Sequence, residues 1–273
     1  MEVDLLPLIR GRVTAAAGHG KTHLIAHTLH AQLEGLPALV LTHTNAGVRS
    51  LQQRLDAREV PRSRYRLETI DACMMQLVSC FPGQAGFRLD QSANEIPYDA
   101  IRAAAVRLVD SGALDRLLPV NYSRIMIDEY QDCLQAQHLF SLGLARTLRT
   151  VVLGDPLQAI FGFAGEVPDW DTDVGKAFDQ HVVLGDPWRW KNAKNETLGR
   201  WIQDVRERIL SGGPIRLDNS PACVRHHSCP AGQTGRSIRL TAARCSHRQA
   251  NETLLVIGDT VNATARHTAM ALT

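Results

Sequence analysis

A glycine-rich stretch near the start of the chain brings together the residue types that bind a phosphate group. It follows a β-prone run at residues 10–14 and precedes a helix-prone run at residues 22–33, which is the strand, loop and helix context of a phosphate-binding loop. Backbone N–H groups of such a turn, together with the helix N-terminus, bind phosphate oxygens. The residues are Ala15, Ala16, Ala17, Gly18, His19, Gly20, Lys21 and Thr22.

In this loop Lys21 would reach the β- and γ-phosphates of a nucleotide, and the Thr22 hydroxyl would be a ligand of Mg²⁺. The general pattern G-x-x-x-x-G-K-[ST] is met except at its first glycine, where Ala15 stands. The alternative interpretation is a glycine-rich turn that carries a solvated lysine.

Two later strand ends carry the polar groups of a nucleotide site. The apolar run 124–127 ends in Asp128 and Glu129. Asp128 would hold Mg²⁺ through its water shell, and Glu129 would accept a proton from the attacking water. The next apolar run, 150–153, is followed by Gln158, which could sense the nucleotide state or orient that water. A solvated acidic strand end is the alternative for the two carboxylates.

The order of the elements predicts an α/β fold. Apolar runs at 38–41, 124–127 and 150–153, and a further strand-like segment at 65–70, alternate with helix-like segments, which indicates a parallel sheet covered on both faces. In such sheets the chemistry gathers at the carboxyl ends of the strands, where the polar clusters fall. Residues 74–122 interrupt the alternation, and we interpret them as a small, mostly helical insertion.

The motif series as a whole resembles motifs I, Ia, Ib, II and III of superfamily 1 helicases of the UvrD/Rep/PcrA type. The matching segments read Ala-x-x-Gly-x-Gly-Lys-Thr, Thr-x-x-Asn-Ala, Thr-Ile-Asp-Ala, Asp-Glu-Tyr-Gln-Asp and Gly-Asp-Pro-x-Gln-x-Ile-Phe. That family commonly has alanine where Ala15 stands. The resemblance implies a RecA-like P-loop NTPase domain at about residues 1–178. A partial second RecA-like domain would follow at 179–273, with an irregular stretch at 214–250.

The resemblance also extends to a fourth motif around residues 187–190. By this match Trp188 takes the place of a tyrosine that stacks on adenine, and Arg189 that of an arginine that reaches the γ-phosphate. The alternatives are a core aromatic residue and a surface ion pair. The catalytic set implied by residues and resemblance together is Glu129, Lys21, Gln158 and Arg189.

Contacts with single-stranded DNA are implied at two places. Thr44, Asn45 and Thr69 would contact strand phosphates through hydroxyl and amide donors. Phe161 and Phe163 follow motif III, where the family has aromatic residues that stack on bases. The alternative is that both phenylalanines belong to the core.

Composition permits these interpretations without demanding them. With 44% hydrophobic and 21% charged residues and a net charge of +2, the chain has the character of a soluble globular protein. Six cysteines are spread through 273 residues, so we expect them to be reduced and the protein to be cytoplasmic, without a membrane partner. The Cys and His residues between 223 and 247 do not have a standard zinc spacing.

The function predicted from the sequence is a DNA-dependent ATPase that resembles a 3′–5′ helicase, with ATP and Mg²⁺ as cofactors. Motifs V and VI are not found before Thr273. The alternative is therefore a truncated module that binds ATP and single-stranded DNA and is completed by a second protein chain. A regulatory P-loop switch without a nucleic-acid partner is the third hypothesis.

Overall fold

The computed structural model describes residues 3–32, 35–90, 92, 95–159 and 165–225. The chain divides into two compact units, Met1–Gly199 and Arg200–Thr273. The first unit contains a parallel sheet of six strands in the order β3-β2-β4-β5-β1-β6. The strands are β1 Arg10–Ala15, β2 Ala38–Thr42, β3 Tyr65–Thr69, β4 Arg124–Ile127, β5 Arg149–Gly154 and β6 Gln180–Leu184.

Ten α-helical segments are present in the described part of the chain, most of them between consecutive strands. They are α1 Lys21–Ala31, α2 Asn45–Ala57, α3 Ile70–Cys80, α4 Pro82–Ala85, α5 Tyr98–Asp110, α6 Leu118–Asn121, α7 Gln135–Ala145, α8 Gly175–Ala177, α9 Trp188–Asn192 and α10 Glu196–Leu210. The predicted α/β fold with a parallel sheet and a helical insertion is confirmed.

The central strands divide their side chains between two apolar cores. Val40 and Met126 pack with α1 and α2 on one face of the sheet. Their neighbours Leu41 and Ile127 pack with α3, α5 and α7 on the other face. Successive side chains of a strand point to opposite faces, so strands covered on both sides are apolar at every position. This is why the sequence shows them as continuous apolar runs.

The segment between β3 and β4 is part of the second core. It contains α3, α4, α5 and α6, and α5 packs against both α3 and α7. The Arg102 guanidinium on α5 donates to both carboxylate oxygens of Asp71 on α3, at 2.9 and 2.6 Å. Gln137 on α7 donates to the same carboxylate at 2.9 Å. The Asp71 carboxylate therefore connects α5 of the insertion to both α3 and α7.

The closest approach between α5 and α7 depends on Gly143. A Cβ atom at this position would lie 2.4 Å from Val109 Cβ. We expect Gly143→Ala to lower the free energy of unfolding by about 1–3 kcal/mol, because an inserted methyl group forces the packed helices apart. At an exposed position inside a helix, replacing glycine by alanine instead raises the free energy of unfolding by roughly 1 kcal/mol. Denaturant unfolding followed by circular dichroism measures the difference.

The matched control is Gly83→Ala in α4, where an added Cβ meets no atom within 4 Å. We expect this variant to be no less stable than the wild type. A second test combines Gly143→Ala with Val109→Ala, and the pair should be less destabilising than the sum of the two single changes, because each makes room for the other. If the Gly143→Ala variant were as stable as the wild type, that result would contradict the proposed steric conflict.

Strand β6 is the edge strand next to β1. The sequence predicts that the first domain ends at about residue 178, whereas β6 pairs in parallel with β1, with Gly11 opposite Gln180. The first compact unit extends to Gly199. A short, exposed strand has the same residue pattern whether it is the last strand of one sheet or the first strand of another. Its sequence therefore does not indicate which strand it pairs with. A second RecA-like domain stays a prediction, and residues 226–273 lie outside the described part of the chain.

Candidate nucleotide site

The phosphate-binding loop connects β1 to α1 as the sequence predicts. Ala15 ends the strand and Lys21 begins the helix. Gly18 and Gly20 have φ angles of 78° and 93°, in the left-handed region that residues with a Cβ rarely adopt. The Lys21 side chain is buried, and its Nζ donates to the carbonyl of Ala15 at 3.0 Å. The loop backbone and the ammonium group are thus held together at one strand end.

Helix α9 lies directly against this loop. The Arg189 N–H donates to the Gly18 carbonyl at 2.9 Å. A Cβ on Gly18 would lie 2.8 Å from Arg189 Cβ, and one on Gly20 would lie 3.2 Å from Trp188 Cδ1. Both glycines are therefore needed for the approach of α9 as well as for the turn. Trp188 is 51% exposed, so it is not a core residue.

Asp128 and Glu129, the two carboxylates that follow β4, lie close to the phosphate-binding loop. Asp128 is buried, and its Oδ2 accepts from Thr22 Oγ1 at 3.4 Å. Glu129 has a φ of 53°, a left-handed conformation, and its N–H donates to Asp128 Oδ1 at 3.0 Å. Glu129 Oε2 lies 4.0 Å from Lys21 Nζ. The structure therefore brings together Lys21, Thr22, Asp128 and Glu129, which the sequence predicts to share one site.

Burial and the Glu129 charge raise the pKa of Asp128 to about 7, while the nearby Lys21 acts in the opposite direction. A bound cation would lower this pKa again, since a divalent ion is the largest charge in such a site. The Asp128 carboxylate and the Thr22 hydroxyl supply the oxygen ligands that Mg²⁺ prefers. The donor set therefore fits Mg²⁺.

The end of β5 supplies the third part of the site. Asp155 Oδ1 accepts from the Leu157 N–H at 3.2 Å, and the Gln158 amide donates to the other oxygen of the same carboxylate. Asp155 is buried, and Gln158 lines the cavity described next. Gln131 connects this strand end to Glu129, a contact that sequence spacing alone did not predict.

A cavity of about 1080 Å³ lies between the phosphate loop, the end of β4 and the segment after β6. Most of the predicted nucleotide-binding residues line it. They are Ala16, Ala17, Gly18, His19, Gly20, Lys21, Thr22, Glu129, Gln158, Trp188 and Arg189.

Two predicted residues are not among those that line this cavity. Ala15 is the buried last residue of β1, and Asp128 is buried and contacts Thr22. Several further lining residues were not predicted from the sequence, and they come from a strand, three helices and the segment after β6. They carry no local motif, because only the tertiary arrangement brings them to the site. Among them are His23, Arg54, Val183, Asp186 and Asn192.

Three of the predicted DNA-contacting residues lie at or just after the carboxyl ends of β2 and β3. Thr44 caps α2 by accepting from Gly47 N at 3.0 Å, and Thr69 caps α3 by accepting from Ala72 N at 3.1 Å. Asn45 is the exposed first residue of α2. An N-cap oxygen that accepts from the backbone keeps its hydroxyl hydrogen for another acceptor. A phosphate contact thus stays compatible with the capping role.

Phe161 and Phe163 lie outside the described residues, so their predicted stacking role stays a prediction. The same holds for most of the Cys and His residues between 223 and 247. Within the described ranges, no group of three or more His, Cys, Asp or Glu side chains could hold a metal ion. No helix in those ranges combines the length and the apolar character that a bilayer crossing requires.

Fold and site together define a P-loop nucleotide-binding domain of the RecA-like type. The family model of the UvrD/REP helicase N-terminal domain matches residues 84–173. This segment contains the carboxylates after β4 and the glutamine after β5, and the phosphate loop precedes it. The resemblance to superfamily 1 helicases is thereby confirmed.

Similarity to curated proteins is limited to part of the chain. RecBCD enzyme subunit RecB of Mycobacterium tuberculosis strain CDC 1551 / Oshkosh is 32% identical over 105 residues. The same values hold for RecBCD enzyme subunit RecB of Mycobacterium tuberculosis strain ATCC 25618 / H37Rv. The match covers 38% of this chain and 9% of each relative. The chain thus matches less than a tenth of the length of these relatives.

Proposed function

We propose that this chain hydrolyses ATP with Mg²⁺ and couples the reaction to binding of, or translocation along, single-stranded DNA, as in a 3′–5′ superfamily 1 helicase. One observation carries the proposal. The phosphate loop after β1 and the carboxylates after β4 meet, with Lys21 Nζ 4.0 Å from Glu129 Oε2 and Thr22 in contact with Asp128. A lysine, a hydroxyl and two carboxylates in this arrangement are the parts that phosphoryl transfer to water requires.

Substrate binding would rest on the loop and on α9. The loop N–H groups and the N-terminus of α1 would donate hydrogen bonds to the phosphate oxygens, and the buried Lys21 would neutralise their charge. A charge interaction is stronger in such a partly buried place than in water. Trp188, half-exposed on the cavity wall, would stack on adenine. Arg189, held against the loop by its own backbone, would reach the γ-phosphate.

Hydrolysis would depend on the strand ends. Thr22 and Asp128 would hold Mg²⁺, which supplies neutralising charge to the phosphate oxygens. Glu129 would take the proton from the attacking water, and Gln158 would orient that water or report the presence of the γ-phosphate. Arg189 would stabilise charge that develops in the transition state. The products are ADP and inorganic phosphate.

The DNA strand would run along the carboxyl edge of β2 and β3. Thr44 and Asn45 are exposed there, and Thr69 lies at the end of the adjacent strand. Their hydroxyl and amide donors suit phosphate oxygens, so binding would be independent of base sequence. Phe161 and Phe163 would add base stacking. We expect this activity in the cytoplasm.

The second candidate is a module that binds ATP and single-stranded DNA but does not unwind a duplex by itself. Two observations favour it. The chain matches only 9% of the length of its curated relatives, and those relatives are named as a subunit of an enzyme. Translocation needs two parts that close and open around the nucleotide. In this case another protein chain would supply the second part.

Steady-state ATPase activity with and without single-stranded DNA separates these candidates. Stimulation by DNA that is lost in Glu129→Gln would support the DNA-coupled ATPase. A strand-displacement assay on duplexes with 3′ or 5′ overhangs would then give the direction. ATP binding without turnover would favour the module, and ATP turnover that DNA does not change would favour a regulatory P-loop switch.

A further inference from the structure

We infer that Gln131 is a positioning residue for ATP hydrolysis, because its side-chain amide fixes the Glu129 carboxylate against the end of β5. This inference rests on the proposed function, since it assigns a role within the same site. Gln131 is only 5% exposed, although glutamine is a polar residue that is usually found at the surface. Its burial therefore calls for a set of hydrogen-bond partners.

The Gln131 amide uses both of its ends. Its Nε2 donates to Glu129 Oε2 at 2.9 Å and to Asp132 Oδ2 at 3.3 Å. Its Oε1 accepts from the Asp155 N–H at 3.0 Å. The side chain thus bridges the segment after β4 and the first residue after β5.

The hydrogen-bond partners of Gln131 are compatible with only one orientation of its side-chain amide. If its nitrogen and oxygen were exchanged, the amide oxygen would face two carboxylates and the NH₂ group would face a backbone N–H. Both arrangements are repulsive. Gln131 is therefore held in one orientation at both ends, and so is the Glu129 oxygen that it contacts.

The space for this side chain is provided by Gly154, the last residue of β5. A Cβ at that position would lie 2.8 Å from Gln131 Oε1 and 2.7 Å from Cη2 of the buried Trp170. Since Trp170 is buried beside the same glycine, the amide lies in a slot next to the strand and the indole ring. This slot limits the side-chain rotamers that Gln131 can adopt.

Two donors meet the same oxygen of Glu129. Gln131 Nε2 and Lys21 Nζ both approach Oε2, at 2.9 and 4.0 Å. The other oxygen, Oε1, is then the one left to take a proton from water. A general base must be within hydrogen-bonding reach of the proton it accepts, so its rotamer matters as much as its charge.

The bridge also connects two groups of the predicted reaction. Asp155, whose N–H is bonded to Gln131, accepts a hydrogen bond from Gln158 through its carboxylate. One amide therefore sets the positions of Glu129 and, through Asp155, of Gln158. The phosphate loop and α9, which would bind the nucleotide, make their contacts independently of it. Loss of the bridge should affect the reaction step more than nucleotide binding.

The test is Gln131→Glu, which keeps the shape but replaces the donor by a carboxylate among Glu129, Asp132 and Asp155. We expect kcat for ATP hydrolysis to fall at least about tenfold, since a small misplacement of a catalytic group is costly. The KM for ATP should stay close to that of the wild type, whereas the thermal midpoint should fall at neutral pH and recover as the pH falls, because the new carboxylate is buried among acidic groups. Gln76→Glu, the same change at an exposed position of α3, is the matched control and should behave as wild type.

A pH profile separates positioning from a structural role. When protonated, the new carboxyl group offers an O–H donor and a C=O acceptor in place of the amide. The surrounding charged groups are the three carboxylates named above and the Lys21 ammonium. We expect kcat of Gln131→Glu relative to wild type to rise as the pH falls, because protonation restores a donor towards Glu129.

The outcomes are distinct. A wild-type chain that binds ATP but does not hydrolyse it would overturn the proposed function, and the role of Gln131 with it. An active wild type with an equally active Gln131→Glu variant would overturn the inference about Gln131 alone. So would a variant whose kcat, relative to that of the wild type, is reduced to the same extent at every pH, because Gln131 would then be structural.

Discussion

Replacing Glu129 by glutamine is expected to lower the turnover of ATP by ~10²–10⁴-fold, the usual contribution of a positioned acid or base. The amide cannot accept a proton from water at neutral pH. It keeps the size of the side chain, and the phosphate loop and Lys21 are unchanged, so affinity for ATP should be nearly the same. Steady-state phosphate release and the binding of a fluorescent ATP analogue measure the two quantities.

The chain contains a matched control for this substitution. Glu59 is also a glutamate in the left-handed backbone region, with a φ of 54°, and it is exposed at the end of α2. Glu59→Gln should therefore leave turnover unchanged while testing the same change in the same backbone conformation. If Glu129→Gln kept most of the wild-type turnover, Glu129 would not be the general base.

Asp128→Asn is expected to stabilise the protein at alkaline pH in the absence of Mg²⁺. Burial raises the pKa of Asp128 from its ordinary value of 3.8 to about 7. The folded state thus binds this proton more tightly than the unfolded state, and the resulting stabilisation is lost as the pH rises through about 7. Above that pH the buried charge should cost about 2–4 kcal/mol, which the asparagine avoids.

Thermal or chemical unfolding at several pH values measures this effect. The advantage of Asp128→Asn should be largest near ~pH 8 and should vanish as the pH approaches the unfolded pKa of about 4, where the carboxyl is protonated in both states. Mg²⁺ with a nucleotide should stabilise the wild type more than the variant, since binding stabilises the folded state. Asp110→Asn, at an exposed position, is the control. A variant no more stable than wild type at alkaline pH would contradict the prediction.

Most of the sheet could be predicted from the sequence because its central strands are buried on both faces. The predicted runs 124–127 and 150–153 agree closely with β4 and β5. Strand β6 has exposed positions along most of its length, and its apolar pattern is correspondingly weak. Its partner, β1, is about 170 residues away in sequence, as in the pair Gly11 and Gln180. A local pattern contains no information about such a pairing.

The site was predictable where its chemistry requires a local sequence. A phosphate loop needs glycines at fixed positions before a lysine, and a strand end with two carboxylates is visible without a structure. The sequence shows that Gln131 belongs to a motif but does not indicate its role, because that role depends on Asp155 and on the space beside Gly154. The lining residues His23 and Arg54 could not be found for a similar reason, since they come from helix faces.

The pairing of β1 with β6 determines how the cavity can change shape. One wall continues from Ala15 at the end of β1, and the opposite wall continues from Leu184 at the end of β6, and these two residues are partners in the ladder. The base of the cavity therefore has the constant spacing of two hydrogen-bonded strands, about 4.8 Å. Substitution of an exposed β6 side chain such as Val183 would leave this width unaltered. A change in the width of the cavity therefore involves its rim, where the segment between β6 and α9 lines it.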